Sequence, residues 1–147
     1  MNAAISRATA QDLDQVLALL GEVNLPAEGV AEHFGAVFVA RDGETVVGCV
    51  GEERYGGVSL LRSLAVAPSL QRSGLGKALT ARLLDEAIRS SVSEVVLLTT
   101  TAADFFARHF GFAKAERKQF DEVFAASPEW CLPRCSSAVC MRLTLSE

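Results

Sequence analysis

The residues best suited to chemistry lie in one segment, Leu64-Ala65-Val66-Ala67-Pro68-Ser69-Leu70-Gln71-Arg72-Ser73-Gly74-Leu75-Gly76-Lys77. It reads as a strand that ends, a short loop with two glycines, and a helix that begins at once. The N–H groups of a helix's first turn have no partner within the helix, and together with the helix dipole they attract anions. Gly74 and Gly76 lack the Cβ atoms that would hold a diphosphate away from the backbone. Arg72 and Lys77 can add positive charge at the rim. Two nucleotide motifs are excluded by position. A dinucleotide fingerprint needs a third glycine where this chain has Leu79. A P-loop needs glycine where this chain has Gln71, and Ser or Thr where it has Ala78. What remains is Gln-x-x-Gly-x-Gly after a strand, a spacing that a plain strand-to-helix turn would also use.

Other residue types invite chemistry with alternatives beside them. Glu52 and Glu53 are adjacent in a strand-like stretch and so face opposite ways, which puts Glu53 on the face of Cys49 and Tyr55. Both carboxylates can equally be ordinary solvated strand-end groups. His33 and His109 titrate near neutrality but also fit surface or half-buried helix positions. Arg62 and Arg134, the latter in Arg-x-Ser order with Ser136, offer planar forks that suit a carboxylate, or form surface ion pairs. Cys131, Cys135 and Cys140 are spaced by four and five rather than as Cys-x-x-Cys, so no metal is expected and packed thiols are the default.

These residues must be positioned by a small chain. At 147 residues and 15.7 kDa it is sized for a single domain, 1–147. Half the residues are hydrophobic and the mean hydropathy is +0.25, which excludes whole-chain disorder. Fourteen basic and 18 acidic residues leave a net charge of -4, which argues against nucleic acid as a partner but not against a local anion site. No apolar run approaches the roughly 18 residues of a membrane span. The first residues lack an apolar signal core. A cytoplasmic protein with four free thiols and no membrane partner is expected.

The periodicity gives the elements. Ala4 to Arg7 reads as a strand, and Thr9 as the cap of a helix whose Leu13, Val16, Leu17 and Leu20 share a face, with Gly21 as its terminator. A second helix is predicted over about Ala27 to Phe34. Strands follow at Val37–Ala40, Val46–Gly51 and Ser59–Val66, joined by turns at Asp42-Gly43 and Gly56-Gly57. A helix from Gly74 to about Arg89 precedes a buried strand, Val95–Leu98. A short helix, Ala102–Phe110, leaves through Gly111-Phe112, and Ala138–Leu143 is a last strand. The result is a mixed α/β domain that starts with antiparallel hairpins and later has a helical crossover. The stretch from Glu116 to Arg134, with Pro128 and Pro133, either borders a substrate pocket or packs on a partner subunit, as in a homodimer.

Gln71, Gly74 and Gly76 after Leu64-Ala65-Val66, with Phe105-Phe106-Ala107-Arg108-His109-Phe110-Gly111-Phe112 and this element order, resemble the GCN5-related N-acetyltransferase (GNAT) superfamily. The resemblance implies the GNAT fold, a central mixed and mostly antiparallel sheet flanked by helices, and acetyl-CoA as co-substrate. It implies that the loop from Gln71 through Arg72, Ser73, Gly74, Leu75 and Gly76 to Lys77 holds the diphosphate, and that Leu64, Ala65 and Val66 pair with the pantetheine arm. Leu61-Arg62-Ser63-Leu64-Ala65-Val66 and Leu97-Leu98-Thr99-Thr100-Thr101-Ala102 look like the acetyltransferase domain of N-acetylglutamate synthases. They look still more like the arsenic-resistance N-acetyltransferase subfamily, as do Glu53, Tyr55 and Cys135-Ser136-Ser137-Ala138-Val139. Thr100 joins the expected cofactor residues on this ground.

Chemistry of this type is direct acyl transfer to a neutral amine. It needs two aligned substrates, a base for the ammonium proton and donors for the oxyanion. The resemblance implies the Val66 N–H as the oxyanion donor. Glu53 is the favoured base, and Arg62, Arg134 and Ser136 the candidate readers of an acceptor carboxylate. Many GNAT enzymes have Tyr four residues before the helix-ending Gly, where this chain has Ala107. Tyr55 or water must then protonate the thiolate, or it leaves unassisted, which a thiol pKa of about 8.5 tolerates. The expected activity is N-acetylation of a small amino acid or amino-acid-like amine, with a link to arsenic resistance. Acetylation of a protein N-terminus or lysine, and a non-catalytic acyl-CoA-binding module, are the alternatives.

Overall fold

The computed structural model of the protein describes residues 3–132 and 137–145. Its strands are β1 (Ala4–Arg7), β2 (Val37–Asp42), β3 (Thr45–Tyr55), β4 (Val58–Val66), β5 (Glu94–Thr99), β6 (Ala113–Lys114) and β7 (Val139–Thr144). Its helices are α1 (Leu13–Glu22), α2 (Leu75–Arg89) and α3 (Ala103–Phe110). The strands form one seven-stranded sheet in the order β1-β2-β3-β4-β5-β7-β6. The chain divides into two compact units, one of Met1–Glu52 and Arg62–Glu86, the other of Glu53–Leu61 and Ala87–Glu147. β3 and β4 run through both.

In the first unit β1 pairs antiparallel with β2 from Ala4↔Arg41 to Arg7↔Phe38, and β2 with β3 from Val37↔Gly51 to Asp42↔Thr45. The Asp42-Gly43 turn is as expected, with Gly43 at φ 64°. Val16, Leu19 and Leu20 of α1 pack with Val37, Val39 and Cys49 in a closed core, and Leu13 and Leu17 lie against its margin. That is the face the 3.6-residue period predicts.

Two local details differ from expectation. Thr9 is not one of them: it forms a capping box with Asp12, its side chain taking the Asp12 backbone N–H while the Thr9 N–H donates to Asp12 Oδ2 at 2.7 Å and the hydroxyl to the same oxygen at 3.2 Å. The Arg41 guanidinium also holds that carboxylate. Gly21 does not end α1, which runs to Glu22. The stop is Asn24, at φ 61°, with Asn24 N–H donating to Gly21 O and Leu25 N–H to Leu20 O. This is the paired bonding of a Schellman motif, with asparagine in the left-handed position. The predicted helix at Ala27–Phe34 is a series of turns followed by a short 3₁₀ turn, Phe34–Ala36. Gly29 sits at φ 82°, and the Glu28 carbonyl, which a helix would use internally, accepts from Arg62 Nη1 at 2.5 Å.

In the second unit β4 and β5 run parallel from Val58↔Glu94 to Leu61↔Leu97, the geometry a helical crossover permits. β5 pairs antiparallel with β7, and β7 with the two-residue β6, a strand too short to announce itself in the sequence. Val95, Val96 and Leu97 are buried, as their continuous apolar run implies. Leu60, Val96 and Cys140 pack with Phe120, Phe124 and Trp130. α3 ends at Gly111, φ 78°, whose N–H returns to Ala107 O.

Candidate active site

The loop after β4 belongs to the first unit. The Ala67 N–H donates to Val47 O at 2.8 Å, so the chain leaves the sheet only after Val66. A 3₁₀ turn over Pro68–Leu70 follows, and Arg72 (φ 69°) and Gly74 (φ 89°) both take left-handed conformations before α2 begins. Alternating backbone hands of this kind turn successive N–H groups toward one side and make a concave anion nest. The Ala78 N–H makes the first i to i−4 bond, to Gly74 O at 3.0 Å. The amides of Gly74, Leu75, Gly76 and Lys77 therefore lie in the turn whose donors a helix cannot use itself. Gln71 to Gly74 and Lys77 are exposed, and a Cβ on Gly74 would meet nothing within 4 Å. The arrangement fits a diphosphate.

Two of the expected cofactor residues have other engagements. The Ser73 N–H closes a turn onto Leu70 O at 3.2 Å, so it is not one of the outward amides. Gln71 Nε2 donates to Val66 O at 3.2 Å and ties the loop to the strand end. On β4 itself Ala65 is buried, and Leu64 and Val66 are half-buried. The parallel ladder with β5 stops at Leu61↔Leu97, before β4 reaches Arg62. Ser63 then turns to φ 63°, an irregularity inside a strand of the sort that re-aims backbone groups. The Cys49 thiol donates to Ser63 O at 3.2 Å, and burial pushes its pKa up to about 12, so it is a packed thiol and not a nucleophile.

Arg62 is 5% exposed. Its Nη1 and Nη2 donate to Glu28 O and Pro26 O, and its Nε to Ser63 Oγ at 3.1 Å. The guanidinium proposed to read a substrate carboxylate thus holds the turn segment at Pro26–Glu28. Arg134 and Ser136, the other two expected readers, lie outside the described residues, as does Cys135.

Glu53, Tyr55 and Thr100 belong to the second unit. β3 continues to Tyr55 and stays buried through Glu53, so neither glutamate is a solvated strand-end group: Glu52 is 2% and Glu53 0% exposed. Tyr55 Oη donates to Glu53 Oε1 at 2.6 Å, a short charge-assisted geometry. The Tyr55 ring is half-buried and meets Phe124 edge-on at 5.6 Å. Phe124 in turn lies 4.8 Å from Trp130. Trp130 is pinned by Nε1 donating to Asp121 Oδ1 at 2.9 Å, by the Arg117 guanidinium 4.7 Å over its ring, and by Arg117 Nη2 donating to its carbonyl. The segment after Glu116, unreadable as a pattern, therefore borders the Glu53–Tyr55 pair. Its only sequence signal was the aromatic spacing Phe120, Phe124, Trp130.

Thr100 is exposed just past β5, while the neighbouring Thr99 hydroxyl accepts the Ala102 N–H at 2.9 Å. Ala107 is exposed on α3 and His109 stacks edge-on with Phe105. Burial pushes the Cys140 thiol up to about 11 against the opposing charge of Arg117. Among the described residues no group of three or more His, Cys, Asp or Glu could hold a metal ion, and no helix is long and apolar enough to cross a membrane.

Comparison with known proteins gives this geometry a context. No curated protein sequence matches the chain significantly. Solved structures share its fold. Rv2747 from Mycobacterium tuberculosis, in complex with CoA and NLQ, aligns with a TM-score of 0.81 at 24% identity, over 97% of this chain and 99% of that one. N-acetylglutamate synthase from Neisseria gonorrhoeae, complexed with coenzyme A and N-acetyl-glutamate, aligns at 0.80 and 19% identity. The match takes in 100% of this chain but only 36% of the synthase. The ribosomal-protein-S18-alanine N-acetyltransferase from Escherichia coli aligns at 0.74 and 22% identity, over 99% and 96% of the two chains. The family model described as an acetyltransferase (GNAT) domain matches residues 33–114, from before β2 through β6 and so across the whole loop from Gln71 to Lys77, and with more than half of its length matched the chain belongs to the GNAT acetyltransferase domains.

Proposed function

We propose that the protein is an acetyl-CoA-dependent N-acetyltransferase whose acceptor is the amine of a small amino acid or amino-acid-like compound. The observation that carries the reading is the turn from Gly74 to Lys77, exposed at both its ends, where consecutive amides open the N-terminus of α2 after the short loop that follows β4. Acetyl-CoA would supply an activated acyl group on a thiol leaving group. The chain's part is to hold the diphosphate on the amides of Gly74 to Lys77, with Arg72 and Lys77 adding charge, and to keep Val66 in place through Gln71. The irregular β4 beyond Leu61 leaves strand backbone available to the pantetheine arm. Glu53 is the base of this reading, with Tyr55 beside it.

The amino-acid acceptor rests on likeness to proteins solved with amino-acid-type ligands and on the candidate readers Arg134 and Ser136. A link to arsenic resistance belongs to the same proposal and adds arsenic-containing amino acids to the candidates. The test is incubation with acetyl-CoA and a panel of free amino acids and arsenic-containing analogues, following released thiol. Thiol release that depends on one of these amines supports the reading. Turnover on peptides alone would move the acceptor to a protein N-terminus or lysine. Tight acetyl-CoA binding with no turnover on any amine would make the chain an acyl-CoA-binding module.

A further inference from the structure

We infer that Tyr55, rather than Glu53 itself, is the group that meets the acceptor amine, and that Glu53 is the proton's destination behind it; this rests on the transferase reading above. Glu53 is 0% exposed, whereas Tyr55 is half-buried and donates its hydroxyl proton to Glu53 Oε1 at 2.6 Å. A carboxylate with no exposed surface does not reach an ammonium directly. A phenol can stand between them, since its oxygen accepts while its proton is donated.

The step balances. The acceptor ammonium gives one proton to the Tyr55 oxygen as the Tyr55 hydroxyl proton passes to Glu53 Oε1. The outcome is a neutral amine, an intact phenol and a neutral carboxylic acid. The reverse transfer later returns the proton to solvent. Phe124 and Trp130 are positioning residues here. Phe124 is 0% exposed and fixes the Tyr55 ring from its edge, and Trp130, held by Asp121 and Arg117, backs Phe124.

The other charged or titratable groups on these elements and their neighbours include Arg117, Lys118, Asp121, Glu122 and Glu129 on the aromatic segment, Cys140 and Arg142 on β7, Glu94 on β5, Arg62 on β4, and Glu52 and Arg54 on β3. Arg117 and Asp121 are engaged with Trp130.

Tyr55 is the chain's single tyrosine, so tyrosinate absorbance reports this phenol alone. In Glu53→Gln the neutral amide should let Tyr55 ionise at lower pH than in the wild-type chain, since the anion no longer holds its proton. Identical titrations in the two proteins would overturn the coupling, whatever the activity. With an accepted amine, Tyr55→Phe and Glu53→Gln should each lower kcat by about 10²–10⁴-fold, the range of a lost acid–base group. The double variant should lose no more than either single one, as for residues acting as a unit. Both should also lose the acidic limb of the pH–rate profile, which a mere packing defect would not remove, and both should bind acetyl-CoA normally. A Tyr55→Phe profile that keeps this limb while Glu53→Gln loses it would overturn the relay and leave the transferase reading intact. A wild-type chain that binds acetyl-CoA and acetylates nothing would overturn both.

Discussion

Gly74 combines two demands that only glycine meets cheaply. Its φ of 89° disfavours any side chain, and nothing lies within 4 Å of where a Cβ would stand, so a diphosphate could close directly on the backbone there. Gly74→Glu or Gly76→Glu should abolish acetyl-CoA binding in a calorimetric titration, because each adds bulk and negative charge where a diphosphate would sit. Retained affinity in both variants would show that the phosphates bind elsewhere. This loop was legible because its chemistry is backbone chemistry, fixed by local spacing. Even so, the bond from Ser73 to Leu70 could not be read from glycine positions. The role of Arg62 was illegible for a different reason: its partners Pro26 and Glu28 lie more than thirty residues back in the chain. Its guanidinium forks onto two backbone carbonyls. Burial of Glu52 and Glu53 was missed because β3 runs four residues past Gly51, the expected strand end.

At the scale of elements, both ends of α1 test how local rules and tertiary contacts divide the work. Gly21 lies inside the helix, a Cβ added there would meet nothing within 4 Å, and its φ is not left-handed. Gly21→Ala should therefore stabilise the fold by about 0.5–1 kcal/mol in urea unfolding, where a true terminator would be destabilised. At the other end, burial pulls the Asp12 carboxyl upward, but the Thr9 N–H, the Arg41 guanidinium and the Thr9 hydroxyl outweigh it. The net pKa lies below its ordinary 3.8. The unfolded chain then binds the proton more readily than the folded one. The resulting stability is present above the ordinary value and is lost as pH falls through the folded one. Asp12→Asn should lower Tm at neutral pH, and the gap to the wild-type chain should narrow in strong acid. A gap independent of pH would assign the loss to packing alone. The strands other than β6 were legible from alternation and turn signals. The segment from Ala27 to Phe34 was not, because its helical composition is overridden by Gly29 and by Arg62 reaching in from β4.

At the scale of the whole molecule, a seven-stranded sheet carries two compact units, each with its own apolar cluster. Apart from the helix expected at Ala27–Phe34 and the unforeseen β6, the order of elements was readable, whereas the division was not, since it cuts across β3 and β4 rather than at a loop. The position of Trp130 gives that division an experimental handle. It is the only tryptophan in the chain, and it is buried against Phe124 and Arg117 in the second unit. Its fluorescence is therefore a built-in reporter of one cluster, while far-ultraviolet circular dichroism registers backbone everywhere. Because two strands pass unbroken through both units, the two signals should melt at one temperature. An emission change that precedes the loss of ellipticity would mean that the aromatic segment opens by itself, and would make Trp130 a direct optical gauge of how firmly Tyr55 is braced.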